Sequence, residues 1–471
     1  MSTPGDDELR TAVRDARDAN PDLGALKLLA AIKDAKGWTL SERSASARHW
    51  PTSVARLRVG GAAAKPSAKK KKGKKSRRVG DHLEPETHLD STLDIATIAP
   101  KVNARMFNDA RGKGLVAAEE LQMGEMIWRE DPFVACASPA LHSILASNQM
   151  CSHCLMAWDH LPRTIAACPK CPASFCSRLC LQRAQESSHH PLLCEGTNPA
   201  AAPLNEFVQG REWRSLGIVA RILARFLTSR AWEGAEAAKA FENRVFSFAR
   251  VNMEERERDN PSFRAQEGTM TALWGMGHQL LLSALHPQTE VEQARLTKIL
   301  RKGGRQVTPL TDEEEQRWFS YQAFLELLGM VNLNLEDSGG LYALHAHLNH
   351  SCEPNVQVRN LPKGWTPPDS LPAPLPEQLQ RGTHKLTLLA RNTIPAGDEL
   401  TISYVPLDMP RNERQQALRL GYGFWCDCAR CEREKTPTKP AKEDPEAKRR
   451  KEEAVESIVA GVDELAVDDQ L

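Results

Sequence analysis

From Lys101 onward, apolar and polar residues alternate in short bursts around Gly112, Gly114 and Gly124, in ARMFNDARGKGLVAAEELQMGEMIWREDPFVA. Alternation with period two, interrupted by glycines, predicts short strands joined by tight turns. The pattern changes between residues 195 and 335. There LGIVARILARFL, ALWGMGHQLLLSAL and RWFSYQAFLELLGMV place apolar residues three and four apart, the spacing of amphipathic helices. Strands return at NVQVRN, HKLTLLARNTI and ELTISYV. Between the first two of these, LPKGWTPPDSLPAPLPEQLQRG has too few apolar anchors for a core element and reads as a surface loop. Nearer the start, Leu9, Val13 and Ala16, then Leu26, Leu29 and Ile32, fall at helical spacing around the turn NPDLG, and Thr39 with Glu42 offers a capping box for a third helix. Residues 1–60 therefore read as a small helical module for protein contacts. Residues 436–471 read as a charged tail with at most a short helix at AVESIVAGVDEL. Helices and strands in separate runs predict an α+β fold.

Length and charge narrow this only in part. A chain of 471 residues exceeds one ordinary core, and a net charge of +1 says nothing global about partners. No apolar run approaches about 18 residues and no signal-like segment opens the chain, so a soluble, non-secreted protein without membrane contact is expected. Local charge is more telling. KPSAKKKKGKKSRR carries nine cations in fourteen residues and no acid. Such a block repels itself and has nothing apolar to bury. It lies in a polar linker, residues 61–95, and is a candidate arm for nuclear entry or nucleosomal DNA contact.

In a reducing compartment, twelve cysteines point to metal ligation more than to disulfides. Only Cys136 stands apart, and it reads as a buried structural thiol. CSHC (Cys151, Cys154), CPKC (Cys168, Cys171), FCSRLC (Cys176, Cys180) and HHPLLC (His189, His190, Cys194) gather seven thiols and the adjacent pair His189 and His190 in 44 residues. Zinc takes four such ligands in a tetrahedron, and a CxxC turn supplies two at once, so two closed structural sites are expected.

A second constellation involves HAHLNHSCEPNVQV, residues 345–358, with three histidines, two asparagines and a cysteine. Downstream, Cys426, Cys428 and Cys431 form CxCxxC, one ligand short of a closed site; Cys352 is the natural fourth, clipping together regions more than seventy residues apart. His345 and His347 alternate on the strand leading to Asn349, where core or surface placement fits better than ligation.

The finger's ligand order resembles a MYND zinc finger. That resemblance implies one zinc on Cys151, Cys154, Cys176 and Cys180. A second would sit on Cys168, Cys171, Cys194 and His190, with His189 the alternative histidine; proline-rich peptides are the partners it implies. ARGKGLVA, LNHSCEPN, GDELTISY and FWCDCARC, in this order, resemble a SET-domain lysine methyltransferase with a MYND finger inserted, most like the fungal branch directed at histone four. The resemblance covers residues 101–435: finger at 151–194, helical insert at 195–335, post-SET segment at 422–435. It implies a SET β-fold with a pseudoknot-like passage, about three zinc ions, S-adenosylmethionine (AdoMet) as cofactor, and methyl transfer to histone-tail lysines in chromatin. It also implies non-histone proteins as alternative substrates and the cytoplasm as a further location. By the same resemblance, Lys113, Gly114, Asn349, His350 and Phe424 contact the cofactor, while Tyr404 and Tyr422 line the lysine channel. A silent SET domain serving as a MYND adaptor is the competing reading, and intact Asn349, His350 and Tyr404 argue against it.

Overall fold

A computed structural model describes residues 85–107, 111–157, 166–187, 191–258, 260–301, 304, 306–336, 339–361 and 383–435. The helical module (1–60), the basic stretch (65–78), His189 and His190, the proline-rich loop (362–382) and the tail (436–471) lie outside the described residues. The chain divides into two units, Met1–Arg78 and Val79–Leu471, and all described residues belong to the second.

The alternating region forms β1 (Val102–Met106), β2 (Lys113–Ala117), β3 (Met126–Glu130) and β4 (Val134–Ala135). The finger contributes β5 (Ala166–Ala167) and β6 (Ser174–Phe175); β7 (Gly340–Leu341), β8 (Asn349–His350), β9 (Val356–Arg359), β10 (Leu386–Ala390) and β11 (Glu399–Ile402) follow. One sheet has the order β1-β2-β11-β8 and another β3-β10-β9. β2 is buried along its whole length, because β1 and β11 flank it and a core of Leu115, Leu121, Trp128, Leu388 and Leu400 covers it. β11 runs parallel to β8, pairing Thr401 with Asn349 and Ile402 with His350. A parallel pair needs a long crossover, which β9 and β10 supply. Residues far apart in sequence thereby meet beside β8.

The finger carries α1 (Arg178–Ser187); the insert includes α2 (Arg214–Trp232), α3 (Ala235–Ser247), α4 (Glu267–Leu285), α5 (Asp312–Phe319) and α6 (Tyr321–Asn334). The insert helices share a second core in which Phe226 stacks on Trp318 at 4.3 Å. Cys136 is buried in that core, as its isolation in the sequence suggested. No helix among the described residues is long and apolar enough to cross a membrane.

Four sequence expectations need correction. RWFSYQAFLELLGMV is two helices: Ser320 takes extended dihedrals and its hydroxyl accepts the Ala323 N–H, ending α5 and capping α6. His345 and His347 lie on a 3₁₀ turn instead of a strand. Glu130 accepts the N–H groups of Leu344 at 2.7 Å and His345 at 2.9 Å, giving that turn's first donors a partner that no strand offers. ELTISYV is a strand only through Ile402, so Tyr404 sits in the bend beyond it. Finally, the last part of the segment read as linker is built into the fold. Asp90 is buried against Arg244 at 2.7 Å, and Leu93 joins the sheet core.

Candidate active site

Asn349 stands where β8 meets β11. Its side-chain amide donates to Oε1 of Glu399 at 2.9 Å and to the Lys113 carbonyl at 3.1 Å. Both amide hydrogens are therefore spent, and the Asn349 carbonyl oxygen is presented as an acceptor. Arg111 pairs with Glu399 from the other side at 2.5 Å. Gly114 lies directly beneath: a Cβ there would overlap the Phe107 ring and meet Nδ2 of Asn349 at 2.9 Å. Only glycine lets the β2 backbone come this close. The Lys113 side chain turns inward, where Nζ donates to the Ser247 carbonyl at 2.7 Å and ties β2 to the end of α3. Burial lowers its pKa to about 7.

Beside Asn349 four rings gather. His350 and Tyr404 are 5.3 Å apart, His350 and Phe424 6.0 Å, Tyr404 and Tyr422 4.6 Å. Two of these residues come from α7 (Arg411–Tyr422) and the turn after it. Gly423 takes the left-handed conformation at φ 82°, and its N–H bonds to the Arg419 carbonyl, which swings Phe424 back toward His350. The Tyr404 hydroxyl donates to the Leu348 carbonyl at 2.6 Å. Enclosure, with Tyr422 and Glu399 adding to it, holds this phenol well above its ordinary pKa. It stays protonated, its hydrogen is committed, and its lone pairs can accept from an incoming N–H. His350 takes the Tyr404 backbone N–H on Nδ1 at 3.0 Å; burial and then Arg414 lower its pKa to about 4. A separate cleft of about 470 Å³, lined by Arg129, His153, Leu179, Arg183 and His384, lies between the finger and β10 and touches none of these rings.

The cysteines form three groups: Cys151, Cys154, Cys176 and Cys180; Cys352, Cys426, Cys428 and Cys431; and Cys168, Cys171 and Cys194. In each, the sulfurs lie within 4.8 Å of one another. Tetrahedral zinc with bonds of about 2.3 Å sets sulfurs about 3.8 Å apart. The separations are 3.7 Å for Cys154 to Cys176, 3.5 Å for Cys352 to Cys431 and 3.9 Å for Cys168 to Cys194. None of the twelve cysteines is in a disulfide. The donor sets fit zinc. The third group holds three sulfurs, and its fourth ligand, expected at His190 or His189, falls outside the described residues.

The SET-domain family model matches residues 112–405, a span that takes in both the finger and the helical insert. A protein of Mycosarcoma maydis named histone-lysine N-methyltransferase SET5 is 31% identical over 385 residues, covering 78% of this chain and 73% of its own. The chain belongs to the SET-domain family. A Yarrowia lipolytica protein of the same name is 26% identical over 92% of this chain and 84% of its own. A Gallus gallus protein named protein-lysine N-trimethyltransferase SMYD5 is 24% identical over 70% of this chain and 85% of its own.

Reading the sequence singled out Asn349, Tyr404, Tyr422 and Phe424, and the fold brings them to one place from three distant segments. It missed Glu399 and Arg111, which fix the Asn349 amide. A signal was present. Glu399 is the acidic residue at the start of an otherwise buried strand, LTI, where a charge needs a partner. Glu130, which holds the turn before β8, had no comparable signal.

Proposed function

We propose that this protein is an AdoMet-dependent lysine N-methyltransferase of histone tails, the histone-four tail foremost, acting in the nucleus on chromatin. The observation that carries the proposal is the convergence of Tyr404, Tyr422 and Phe424 on the β8–β11 junction beside Asn349. The relatives named histone-lysine N-methyltransferase supply the substrate class.

When bound, AdoMet supplies an electrophilic methyl group on a sulfonium. The remaining tasks fall to the chain. The backbone at Lys113 and Gly114 would make room for the methionine end, and the side-chain oxygen of Asn349, whose amide is fixed by Glu399, would accept from its ammonium. Phe424 covers the adenine. A free lysine has a pKa near 10.4, so only roughly 0.1% is neutral at pH 7.4. The rings of Tyr404 and Tyr422 exclude water from the entering amine and so favour its neutral form. The Tyr404 hydroxyl accepts an amine N–H and aims the nitrogen lone pair. It does not act as a phenolate base, because enclosure disfavours that anion. Three zinc ions would hold the structure: two in a MYND-type finger, one joining Cys352 to the post-SET segment. The finger is suited to proline-rich peptides, and the basic arm at 65–78 to nucleosomal DNA and nuclear entry.

Non-histone lysines are the second reading, favoured by the likeness to a relative named only for protein lysine. Purified protein incubated with labelled AdoMet and either core histones or cytosolic extract tests both. Label on histone four supports the first. Label confined to extract proteins establishes the second, and none in either despite AdoMet binding leaves an adaptor.

A further inference from the structure

His350 has two side-chain contacts on opposite edges of its ring. Nδ1 lies 3.0 Å from the backbone nitrogen of Tyr404, and Nε2 lies 3.3 Å from Sγ of Cys352. A peptide N–H can only donate, so Nδ1 must offer its lone pair. The ring proton is then on Nε2 and aimed at the sulfur. The ring is buried and wedged between Tyr404 and Phe424, so it has little room to turn. Cys352 is itself held from behind: Arg430 donates to its carbonyl at 3.1 Å and to the Leu407 carbonyl, three residues past Tyr404, at 2.9 Å. The same sulfur sits 3.5 Å from Cys431 and 3.9 Å from Cys426. One imidazole thus spans the gap between the post-SET sulfur cluster and the backbone that carries the active-site tyrosine.

We propose that His350 is a positioning residue that couples the metal site of Cys352, Cys426, Cys428 and Cys431 to the placement of Tyr404. A metal-bound thiolate is a fixed, charged acceptor for Nε2–H, and that bond selects the tautomer whose Nδ1 holds the Tyr404 amide. The neighbouring peptide then cannot rotate, and the hydroxyl keeps its station on Leu348. The role belongs to the side chain and is separate from any main-chain contact His350 makes with the cofactor. It also gives this zinc a task beyond stapling the post-SET segment, because the metal reaches the catalytic bend through one ring.

The inference rests on the methyltransferase reading for its kinetic arm, but its first test does not. Protein loaded with ¹¹³Cd in place of zinc should show three metal resonances. In His350→Phe, which keeps the ring volume but has no N–H, the resonance that Cys352→Ser removes should move, because its thiolate loses a hydrogen bond, while the other two stay. An unmoved resonance with all three sites filled overturns the proposal whatever the enzyme methylates. In single turnover, His350→Phe should lose roughly 10- to 100-fold in the methyl-transfer rate, the usual cost of losing a partner of a metal ligand. AdoMet affinity should change much less. His350→Gln, whose amide can donate to the sulfur and accept from Tyr404, should recover part of the rate. A loss confined to AdoMet affinity, or no rescue by glutamine, assigns the ring to packing alone and overturns the coupling. Wild-type protein that methylates nothing, with the resonance still shifted in His350→Phe, defeats the functional reading and leaves the contact standing.

Discussion

A Cβ on Gly114 would lie 2.9 Å from Nδ2 of Asn349, inside van der Waals contact with the atom that bridges Glu399 and Lys113. Gly114→Ala must therefore push the Asn349 amide off at least one acceptor and displace the Phe107 ring. The strand itself can tolerate alanine, since its pairing with β1 and β11 uses only backbone. The expected result is a folded protein whose AdoMet affinity, read by calorimetry, falls about tenfold or more, the scale of one lost hydrogen bond to a charged group. Unchanged affinity would remove Gly114 and Asn349 from the cofactor site.

Metal content tests the sulfur clusters directly. Elemental analysis of purified protein should find about three zinc ions per chain, and Cys352→Ser should leave about two. Finding one or none in the wild type would end the assignment. Chelation should free Phe424 and Tyr422 from the β8–β11 junction, because a metal held by Cys426, Cys428 and Cys431 would join their segment to Cys352. AdoMet affinity should then drop even where the sheet core remains folded.

Acid should weaken the turn that precedes Asn349. Burial lowers the pKa of His347 to about 3 and that of His345 below its ordinary value. Their unfolded value is near 6.5, so the unfolded chain takes up protons first as pH falls. The stability these neutral rings contribute is complete above about pH 6.5 and is lost on acidification toward the folded values. Glu130 opposes them, because burial raises its pKa to about 7 and the folded state binds that proton first. His384, lowered by burial to about 4, acts in the same sense as His347, so the imidazoles outweigh the one carboxyl, and each proton contributes at most about 1.4 kcal/mol per pH unit. Urea midpoints should fall between pH 6.5 and 4.5, and His347→Phe should show a shallower decline. An equal slope in that variant would place the acid sensitivity elsewhere.

Much of this was legible in the sequence because spacing carries ligand chemistry. CxxC pairs and CxCxxC announce candidate metal ligands without any knowledge of the fold, and Cys352 follows by counting ligands. Strand and helix types followed from periodicity wherever one face is buried and the other wet. The failures fall where a tertiary contact overrides local pattern. His345 and His347 look like alternating strand positions, yet Glu130, more than two hundred residues earlier, caps them into a turn. Ser320 reads as one polar position on a long helix, whereas its hydroxyl starts a new one. Nothing local to Lys113 says that its side chain is buried against Ser247.

Tyr404 offers the sharpest test of the chemistry. Its hydroxyl donates to Leu348 and keeps its lone pairs, so its service to an entering amine is acceptance and aim. Tyr404→Phe removes that acceptor and leaves the ring, the bend and the backbone N–H to His350 in place. Fold and metal content should survive. Losing one orienting group in a water-excluded site typically costs about 10²- to 10³-fold in rate, and single-turnover methylation should fall by that amount. AdoMet affinity should fall far less, because Asn349, Gly114 and Phe424 are untouched. Asn349→Ala should show the reverse, with weak cofactor binding as the main defect and a smaller loss of rate at saturating AdoMet. Enclosure keeps the hydroxyl protonated at both values, so the rate loss in Tyr404→Phe should be nearly the same at pH 7 and pH 9. A loss that vanishes at the higher pH, where more of the lysine is already neutral, would mean that the hydroxyl serves to deprotonate the amine. If Tyr404→Phe methylates at the wild-type rate, Tyr422, 4.6 Å away between ring centres, becomes the residue that aims the nitrogen.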